Sequence, residues 1–208
     1  MQIVFVLFDR FTALDAIGPY EVLQRLPGAE VVFAAKETGV YRTDTKRLGL
    51  VADAALRDVA HPDVLVVPGG FGTRALEHDE ELLQWVREAH TQTTWTTSVC
   101  TGSLVLAAAG LLDGLDATTH WTQLDHLRDY GARPTRQRVV EQGKIVTAAG
   151  VSAGIDMGLT LAARIAGEDV AKLIQLGVEY DPQPPFDTGS PEKAGDQLVD
   201  SYRQLVRS

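Results

Sequence analysis

The stretch TTSVCTGS, residues 96–103, decides the fold of this chain. Together with Trp95 before it, its first four residues form a β-rich run that predicts a strand ending at Val99. The apolar run Gly102–Leu112 predicts a helix directly afterwards. Cys100 therefore sits at a sharp turn from a strand into a helix, which is the position of the nucleophile in many α/β enzymes.

Strands alternate with helices outward from this turn in both directions. Short apolar runs predict strands at 3–8, 31–35, 63–67, 117–119, 139–140 and 145–147, and a small strand or hairpin within 40–60. Further helices are predicted at 20–26, 80–90, 153–165 and 169–179, with a C-terminal extension helix at about 190–207. The alternation predicts a doubly wound α/β sandwich, in which residues 1–208 form a single domain with a mostly parallel sheet and helices on both faces.

The composition limits the function classes. The 208 residues carry a formal net charge of −9, which argues against partners such as nucleic acid or an anionic membrane. The apolar stretch Leu104–Leu112 is too short to span a bilayer, and the first residues lack the basic segment of a signal peptide. One cysteine forms no internal disulfide, which is typical of a reducing compartment. We therefore expect a soluble, cytoplasmic protein.

The single cysteine, Cys100, is the leading candidate for a catalytic nucleophile. The turn places it within solvent reach at the carboxyl ends of the strands, where α/β sheets bind their ligands. The N-terminus of the following helix adds a positive partial charge, so we expect a lowered thiol pKa. The alternative is a structural cysteine in the core, because free cysteine is among the most buried residue types. The position in the turn favours the nucleophile.

Two other strand ends carry candidate groups. Asp15 follows the first strand in an apolar setting, which favours a raised pKa and a role as proton donor. It could equally be an N-cap of the helix that starts near Pro19. Gly69 and Gly70 follow the strand predicted at 63–67. Their N–H groups could form an oxyanion site, and the alternative is a tight turn that needs positive φ angles.

His120 follows a predicted short strand and precedes Trp121. It could act as a base for Cys100, but a histidine that is hydrogen-bonded at a strand end is the favoured interpretation. The five histidines show no spacing typical of metal ligands, and one cysteine cannot build a zinc cluster. We therefore expect no bound metal.

Several motifs together resemble the DJ-1/PfpI superfamily over nearly the whole chain, and within it most closely the isocyanide hydratase branch. They are Leu14-Asp15 with Gly18-Pro19, the Pro68-Gly-Gly70 turn, residues 97–106, 117–121 and 153–156, and the tail segments 179–180, 184–186 and 189–191. The stretches 97–106 and 117–121 are similar to amidase-like domains of AraC-type regulators as well. The tail is therefore the more specific part of the resemblance.

The resemblance implies a flavodoxin-like fold, a homodimer and no cofactor. It implies that Cys100 is the nucleophile and that Asp15 stands where most of the superfamily has a glutamate. It also counts Thr101 among the catalytic residues, beside the reacting centre and with the Gly70 backbone near it. Residues 149–152 would begin a helix that borders the pocket. On these grounds the candidate substrate-binding residues are Gly69, Gly70, His120, Trp121 and Val151.

The implied reaction is the hydration of an organic isocyanide, R–N≡C, to an N-substituted formamide. A covalent thioimidate would form on Cys100, with Asp15 as general acid. A glyoxalase-like enzyme is an alternative, although such members resemble this chain less because they carry glutamate in place of Asp15. PfpI-type peptidases carry histidine where this chain has Thr101. The other alternative is a ligand sensor like those of AraC-type regulators, in which a DNA-binding domain follows, whereas this sequence stops at Ser208.

Overall fold

The computed structural model describes residues 1–59 and 61–206, which group into two compact units, residues 1–178 and the segment from Glu179 onward. The strands of the first unit are β1 (Gln2–Val6), β2 (Glu30–Ala35), β3 (Gly39–Arg42), β4 (Gly49–Ala52), β5 (Ala54–Ala55), β6 (Val64–Val67), β7 (Trp95–Val99), β8 (Asp116–Ala117), β9 (Arg133–Pro134), β10 (Val139–Gln142) and β11 (Ile145–Ala148). Its α-helices are α1 (Ala13–Leu23), α2 (Thr73–Leu76), α3 (Glu80–Gln92), α4 (Gly102–Ala108), α5 (Ala153–Ala166) and α6 (Glu168–Gly177). Short 3-10 helices lie at Leu56–Asp58, Trp121–Gln123 and Asp125–Tyr130.

The central sheet of the described residues has seven strands in the order β10-β11-β7-β6-β1-β2-β5. The neighbouring pairs from β11 to β5 are parallel, whereas β10 pairs antiparallel with β11. In the register of the sheet, Val4 lies between Val32 of β2 and Leu65 of β6. The predicted mostly parallel sheet is confirmed, and the ends of β11, β7, β6 and β1 lie side by side.

The side chains of β1 alternate between two cores, one on each face of the sheet. Val4 and Val6 belong to the core that includes residues of α3 and α4. Ile3 and Phe5 belong to the core that includes residues of α1, α5 and α6. A strand that is buried on both faces needs an unbroken apolar run, which is what the sequence of β1 provides. The predicted helices on both faces are therefore confirmed.

Helix α1 begins at Ala13, earlier than the predicted start at Tyr20. The Gly-Pro pair was interpreted as a helix start, but Pro19 lies inside the helix. A proline at this place costs one backbone hydrogen bond. Burial of apolar side chains on α1, such as Val22, offsets that cost. As a consequence, Asp15 lies in the first turn of the helix rather than before it.

The small strand or hairpin predicted within 40–60 is the antiparallel hairpin of β3 (Gly39–Arg42) and β4 (Gly49–Ala52). The helix predicted for 102–112 ends earlier, at Ala108, and the following chain turns through Gly110 with a φ of +81°. A left-handed glycine after the last helical turn is a common way for a helix to end. The hairpin matters for the site because its turn approaches the loop that precedes α1, where Asp44 N–H donates to Phe11 O at 3.1 Å.

The second unit contains α7 (Pro191–Ala194) and α8 (Asp196–Leu205). The single helix predicted at about 190–207 is divided by Gly195, which has a φ of +77°, and residue 207 lies outside the described residues. A single domain over 1–208 stays a prediction. None of the helices in the described ranges has the length and apolar character that crossing a membrane requires.

Candidate active site

Four neighbouring strands end at one edge of the sheet and bring the predicted residues together. Cys100 directly follows β7, and Gly69 and Gly70 follow β6. Asp15 lies in the first turn of α1, which comes after β1. Residues 149–152 follow β11. Hydrogen bonds join these segments directly, so residues that are far apart in the sequence form one site.

Cys100 holds a strained backbone conformation with a φ of +56°, which residues with a Cβ rarely adopt. Its N–H donates to the carbonyl oxygens of Ala148 and Ala149 at 3.0 and 3.1 Å. Its own carbonyl oxygen accepts from the hydroxyls of Thr119 and Ser103 at 2.9 and 3.1 Å. These contacts hold the backbone on both sides of the residue. Strain that the surroundings enforce in this way is typical of functional positions.

Gly102 allows α4 to start directly against the end of β6. A Cβ at this position would clash with the carbonyl oxygen of Val67. Backbone can approach backbone so closely only where a side chain is missing. The sharp turn around Cys100 therefore depends on a glycine two residues after it.

The thiol of Cys100 is buried, since only 5% of the residue is exposed. Burial first, and then the negative charge of Asp15, raise the pKa of the thiol above its ordinary value. The backbone N–H groups of Thr101 and Val151 donate to the sulfur and act in the opposite direction. The expectations of solvent reach and of a lowered thiol pKa are therefore wrong, because desolvation outweighs the nearby backbone dipoles. The strained elbow and the neighbouring carboxyl group still distinguish Cys100 from an ordinary core cysteine.

Asp15 is fully buried, and its two carboxyl oxygens have different surroundings. Oδ2 accepts a hydrogen bond from the N–H of Gly69 at 3.0 Å, whereas Oδ1 is buried without such a partner among the described residues. Burial raises the pKa of Asp15 from 3.8 to about 7, although the Gly69 N–H and the Cys100 thiol lower it in part. The N-cap of α1 is Thr12, so the alternative of Asp15 as a helix cap is wrong. At neutral pH this carboxyl group can both give and take a proton.

The glycine turn after β6 positions the side chains around it. The N–H of Gly69 binds Asp15, and the N–H of Gly70 donates to Thr101 Oγ1 at 2.9 Å. A Cβ on Gly69 would lie 2.5 Å from the Thr101 nitrogen, and Gly70 has a φ of +133°. Both glycines are thus needed for conformation and close approach. Both N–H groups were expected to form an oxyanion site. In the structure they instead donate to the side chains of Asp15 and Thr101.

His120 lies at the N-cap of the 3-10 helix Trp121–Gln123. Its Nδ1 accepts from Thr122 N–H at 3.4 Å and lies 2.8 Å from Thr122 Oγ1, which assigns the ring proton of a neutral imidazole to Nε2. Burial lowers the pKa of the ring below its ordinary value. This agrees with the interpretation as a hydrogen-bonded histidine at the end of a strand. The Trp121 ring follows it, with its centroid 5.7 Å from that of His120.

Val151 borders the nucleophile from the segment between β11 and α5. Its φ of +28° is an outlier for a β-branched residue. That conformation accompanies the donation of its N–H to the sulfur of Cys100. The preceding residue, Gly150, lies against His120, and a Cβ there would come within 2.5 Å of the ring. The segment therefore connects the sulfur to the histidine through two constrained residues.

The described residues contain no group of side chains that could hold a metal ion. Within residues 1–59 and 61–206, no three His, Cys, Asp or Glu side chains come together as a metal site. The site around Cys100 instead combines one thiol, one carboxyl group and backbone N–H donors. That set of groups is suited to covalent and proton-transfer chemistry.

The sequence did not single out three residues that support the site. Thr119 lies within the motif at 117–121, but nothing in the sequence indicated that its hydroxyl would bind the Cys100 carbonyl. Thr12 and Asp44 hydrogen-bond to each other at 2.7 Å beside the glycine turn. A threonine before a helix and an aspartate in a hairpin turn are common for local reasons. Their connection is made by the tertiary fold and leaves no local signal.

Comparison with known proteins identifies relatives over most of the chain. The model of the DJ-1/PfpI family matches residues 1–164. Isonitrile hydratase of Pseudomonas putida is 46% identical over 204 residues, which cover 98% of this chain and 89% of that protein. The crystal structure of a THiJ/PfpI family protein from Pseudomonas syringae superimposes with a TM-score of 0.95 and 38% identity, and the match covers 99% of this chain and 86% of that one.

A relative of another class shares part of the sequence. The HTH-type transcriptional regulator CdhR of Pseudomonas aeruginosa is 37% identical over 132 residues. The match covers 62% of this chain but only 38% of the regulator. The match therefore spans less than half of the length of that regulator.

Proposed function

The chain belongs to the DJ-1/PfpI family, and on that premise we propose that it is an isocyanide hydratase. The reaction converts R–N≡C and water to the formamide R–NH–CHO. The observation that carries this proposal is the 46% identity to isonitrile hydratase over nearly the full length of both chains. The buried pair of Asp15 and Cys100 supplies the two groups that the reaction needs, a nucleophile and a proton carrier.

In the first step, Cys100 adds to the terminal carbon of the isocyanide. The active pair carries one proton shared between the thiol and the Asp15 carboxyl group. The sulfur attacks as thiolate, and Asp15 gives the proton to the same carbon. The product is the neutral thioimidate R–N=CH–S–Cys100, and Asp15 is left as carboxylate. Such a covalent intermediate divides one difficult addition into two easier steps.

In the second step, water replaces the sulfur. The Asp15 carboxylate takes a proton from the water as it attacks the thioimidate carbon, and that proton then goes to the nitrogen. The tetrahedral adduct collapses to R–NH–CHO, and the C–S bond breaks. The hydroxyl proton of the adduct returns to the pair of Asp15 and Cys100. The pKa of about 7 for Asp15 suits an acid that must also act as a base.

The environment of the pair supports this division of roles. The thiolate is the minor form in the resting enzyme, because burial and Asp15 raise the thiol pKa. The N–H groups of Thr101 and Val151 stabilise negative charge on the sulfur at the moment of attack. Burial also suits an uncharged substrate that brings no strongly hydrated group into the site.

A ligand-sensing role is the second candidate, and the partial match to the regulator CdhR favours it. In that case the same site would bind a small molecule without converting it. A glyoxalase-like activity is the third, within the same enzyme class. Both alternatives keep Cys100 at the centre of the site and differ from the hydratase in the fate of the ligand.

We further propose a cytoplasmic homodimer without a cofactor. The family resemblance supports the dimer, and the lone cysteine accords with a reducing compartment. The second unit adds large apolar side chains to the surface, since Leu198, Tyr202 and Leu205 are 52%, 41% and 70% exposed. Apolar groups gathered on one short helix are typical of an interaction surface.

The test is turnover of an aryl isocyanide, followed as formamide formation, for the full chain and for variants. Cys100→Ala is expected to abolish activity, and Asp15→Asn to reduce it by about 10²-fold or more, since a positioned acid contributes that much. Asp53→Asn, which changes an exposed aspartate at the end of β4, serves as the control and is expected to behave like the wild type.

The outcomes separate the candidates. Wild-type turnover together with an inactive Cys100→Ala variant supports the hydratase. Binding of the isocyanide without any formamide points to the sensor, and turnover of a glyoxal alone points to the glyoxalase. Full activity in Cys100→Ala would contradict the covalent mechanism.

A further inference from the structure

Asp44 lies in the turn between β3 and β4 and connects two segments of the site. It is half-buried, and its two carboxylate oxygens bind different partners. Oδ2 accepts from the hydroxyl of Thr12 at 2.7 Å, and Oδ1 accepts from the N–H of Phe71 at 3.0 Å. One side chain thus joins the residue that precedes α1 to the residue that follows the glycine turn.

Each partner of Asp44 belongs to a segment that presents a group of the active site. Thr12 is the N-cap of α1, whose first turn carries Asp15, and Thr12 N–H donates to Gly69 O at 2.8 Å. Phe71 directly follows Gly70, whose N–H binds Thr101. The distance between these two segments determines whether Asp15 Oδ2 stays bound to Gly69 N–H.

The charge of Asp44 also acts on Asp15 through space. It raises the Asp15 pKa in the same direction as burial does. The other titratable group that influences Asp15 is Cys100, after β7, and the glycine turn contributes the Gly69 N–H. Burial is the larger cause of that shift, and the charge of Asp44 adds to it from outside the catalytic pair.

We propose that Asp44 is a positioning residue that holds Asp15 against the glycine turn through Thr12 and Phe71. The inference rests on the proposed function, because it assigns Asp44 to the acid of that reaction. Asp44 acts through Thr12, Phe71 and Asp15 and is not itself in contact with the reacting atoms in the mechanism above.

Asp44→Asn isolates the charge from the geometry. An asparagine can accept from Phe71 N–H through its carbonyl oxygen and donate from its amide to Thr12 Oγ1, so both contacts survive. Removing the negative charge removes a cause of the raised Asp15 pKa, so the pair loses its first proton at lower pH. The acid side of the pH–rate profile is expected to move to lower pH.

Thr12→Val isolates the geometry, whereas Asp44→Ala removes the geometry and the charge together. Both remove the link between Thr12 and the hairpin, and Thr12→Val keeps the charge of Asp44. A misplacement of about 1 Å at a reacting group can cost about 10²-fold, so we expect kcat/KM to fall by about 10- to 100-fold in both variants. Thr12→Ser keeps the hydroxyl that Thr12→Val removes. It is therefore expected to retain most of the wild-type activity and the wild-type pH profile.

A second readout needs no isocyanide. Cys100 is the only cysteine, so the rate at which iodoacetamide adds to the protein, followed by mass, reports the protonation of the pair. The alkylation profile of Asp44→Asn is expected to shift to lower pH by the same amount as its turnover profile. Asp53→Asn is the control for loss of a distant charge, and Cys100→Ala controls for labelling elsewhere.

The outcomes are decisive in either direction. A profile of Asp44→Asn within about 0.1 pH unit of the wild type in alkylation would overturn the effect of the Asp44 charge on the pair. Wild-type alkylation and turnover in Asp44→Ala would overturn the positioning role. A shifted alkylation profile in a protein that hydrates no isocyanide would support the role of Asp44 beside the pair and contradict only the proposed function.

Discussion

At the scale of the residue, the site depends on backbone constraints at Cys100 and its neighbours. Cys100 with a φ of +56° and Gly102 against Val67 make one sharp turn. The strand–cysteine–glycine pattern predicted the turn, because local sequence determines where a strand gives way to a helix. It did not predict that the thiol is buried or that its pKa is raised. Those properties depend on Asp15 and on packing from other elements, which one stretch of sequence does not reveal.

The turn predicts a sharp difference between two glycine substitutions. Gly102→Ala is expected to destabilise the protein by about 2 kcal/mol or more and to abolish activity, because its Cβ meets the Val67 carbonyl. Gly177→Ala at the end of α6 is the matched control, since a Cβ there meets nothing within 4 Å. Urea unfolding of both variants measures the difference. Equal stability of the two would contradict the close-approach argument.

The buried acid predicts a pH-dependent gain in stability on its removal. The folded pKa of Asp15, about 7, lies above its ordinary value of 3.8, so the unfolded chain releases this proton first. Stability therefore falls as pH rises from about 4 to about 7. Asp15→Asn lacks this loss, so its stability relative to the wild type should increase over that range, although its activity is low. Thermal unfolding at about pH 4 and about pH 8 measures the effect, and a constant difference would contradict it.

At the scale of the element, sequence periodicity found most helices and strands but misplaced the start of α1. The Gly-Pro pair indicates a helix boundary locally, whereas burial against the sheet and α5 extends the helix back to Ala13. The supporting hairpin was predicted as a small strand or hairpin within 40–60, without its link to the site. Its link to the site through Asp44 joins segments about 30 residues apart in the sequence, and such links are set by tertiary packing.

A second polar cluster joins the end of α2 to the 3-10 helix Asp125–Tyr130. Glu77 is buried, and its Oε2 accepts from His126 Nε2 at 2.7 Å and from the Tyr130 hydroxyl at 2.9 Å. His126 Nδ1 also lies 3.0 Å from Asp129 Oδ2. Hydrogen bonds to Glu77 and Asp129 raise the pKa of His126 against the effect of its partial burial. The cluster thus holds two short helical segments together through one carboxylate.

The cluster predicts a stability contribution that disappears at alkaline pH. Because the folded pKa of His126 is raised above 6.5, its contribution is complete below that value and is lost as pH rises through the folded pKa. The stability difference between wild type and His126→Gln should therefore shrink as pH rises from about 6 to about 9. Urea midpoints at both values test this. Tyr130→Phe keeps the histidine. Its stability difference from the wild type should therefore stay constant over the same pH range.

At the scale of the whole molecule, the alternation of strands and helices was sufficient to predict the layered sheet and the edge that carries the site. The four strand ends meet because parallel strands of one sheet point the same way. What could not be predicted is which residues from separate loops support the pair, since their proximity follows from the folded arrangement. The division of the last predicted helix at Gly195 was missed because a lone glycine is often tolerated within a helix.

The proposed homodimer predicts the mass of two chains in solution. Light scattering after size-exclusion chromatography measures that mass for the wild type. Leu205→Glu places a charge on the exposed apolar face of α8 and is expected to weaken association. Leu48→Glu, at an exposed leucine of the first unit, is the control. A wild type with the mass of one chain would contradict the proposed dimer.

The raised thiol pKa has a consequence for the durability of the protein. Peroxides attack thiolates far faster than thiols, so a cysteine that stays protonated until a substrate arrives resists damage while it waits. The carboxyl group of Asp15 thereby also slows the oxidation of Cys100. Removing the charge of Asp15 should make Cys100 oxidise faster. The rate of sulfinic acid formation in dilute hydrogen peroxide should therefore be higher in Asp15→Asn than in the wild type. The residue that carries the proton in the proposed reaction, Asp15, therefore also protects the only cysteine of the chain from oxidation.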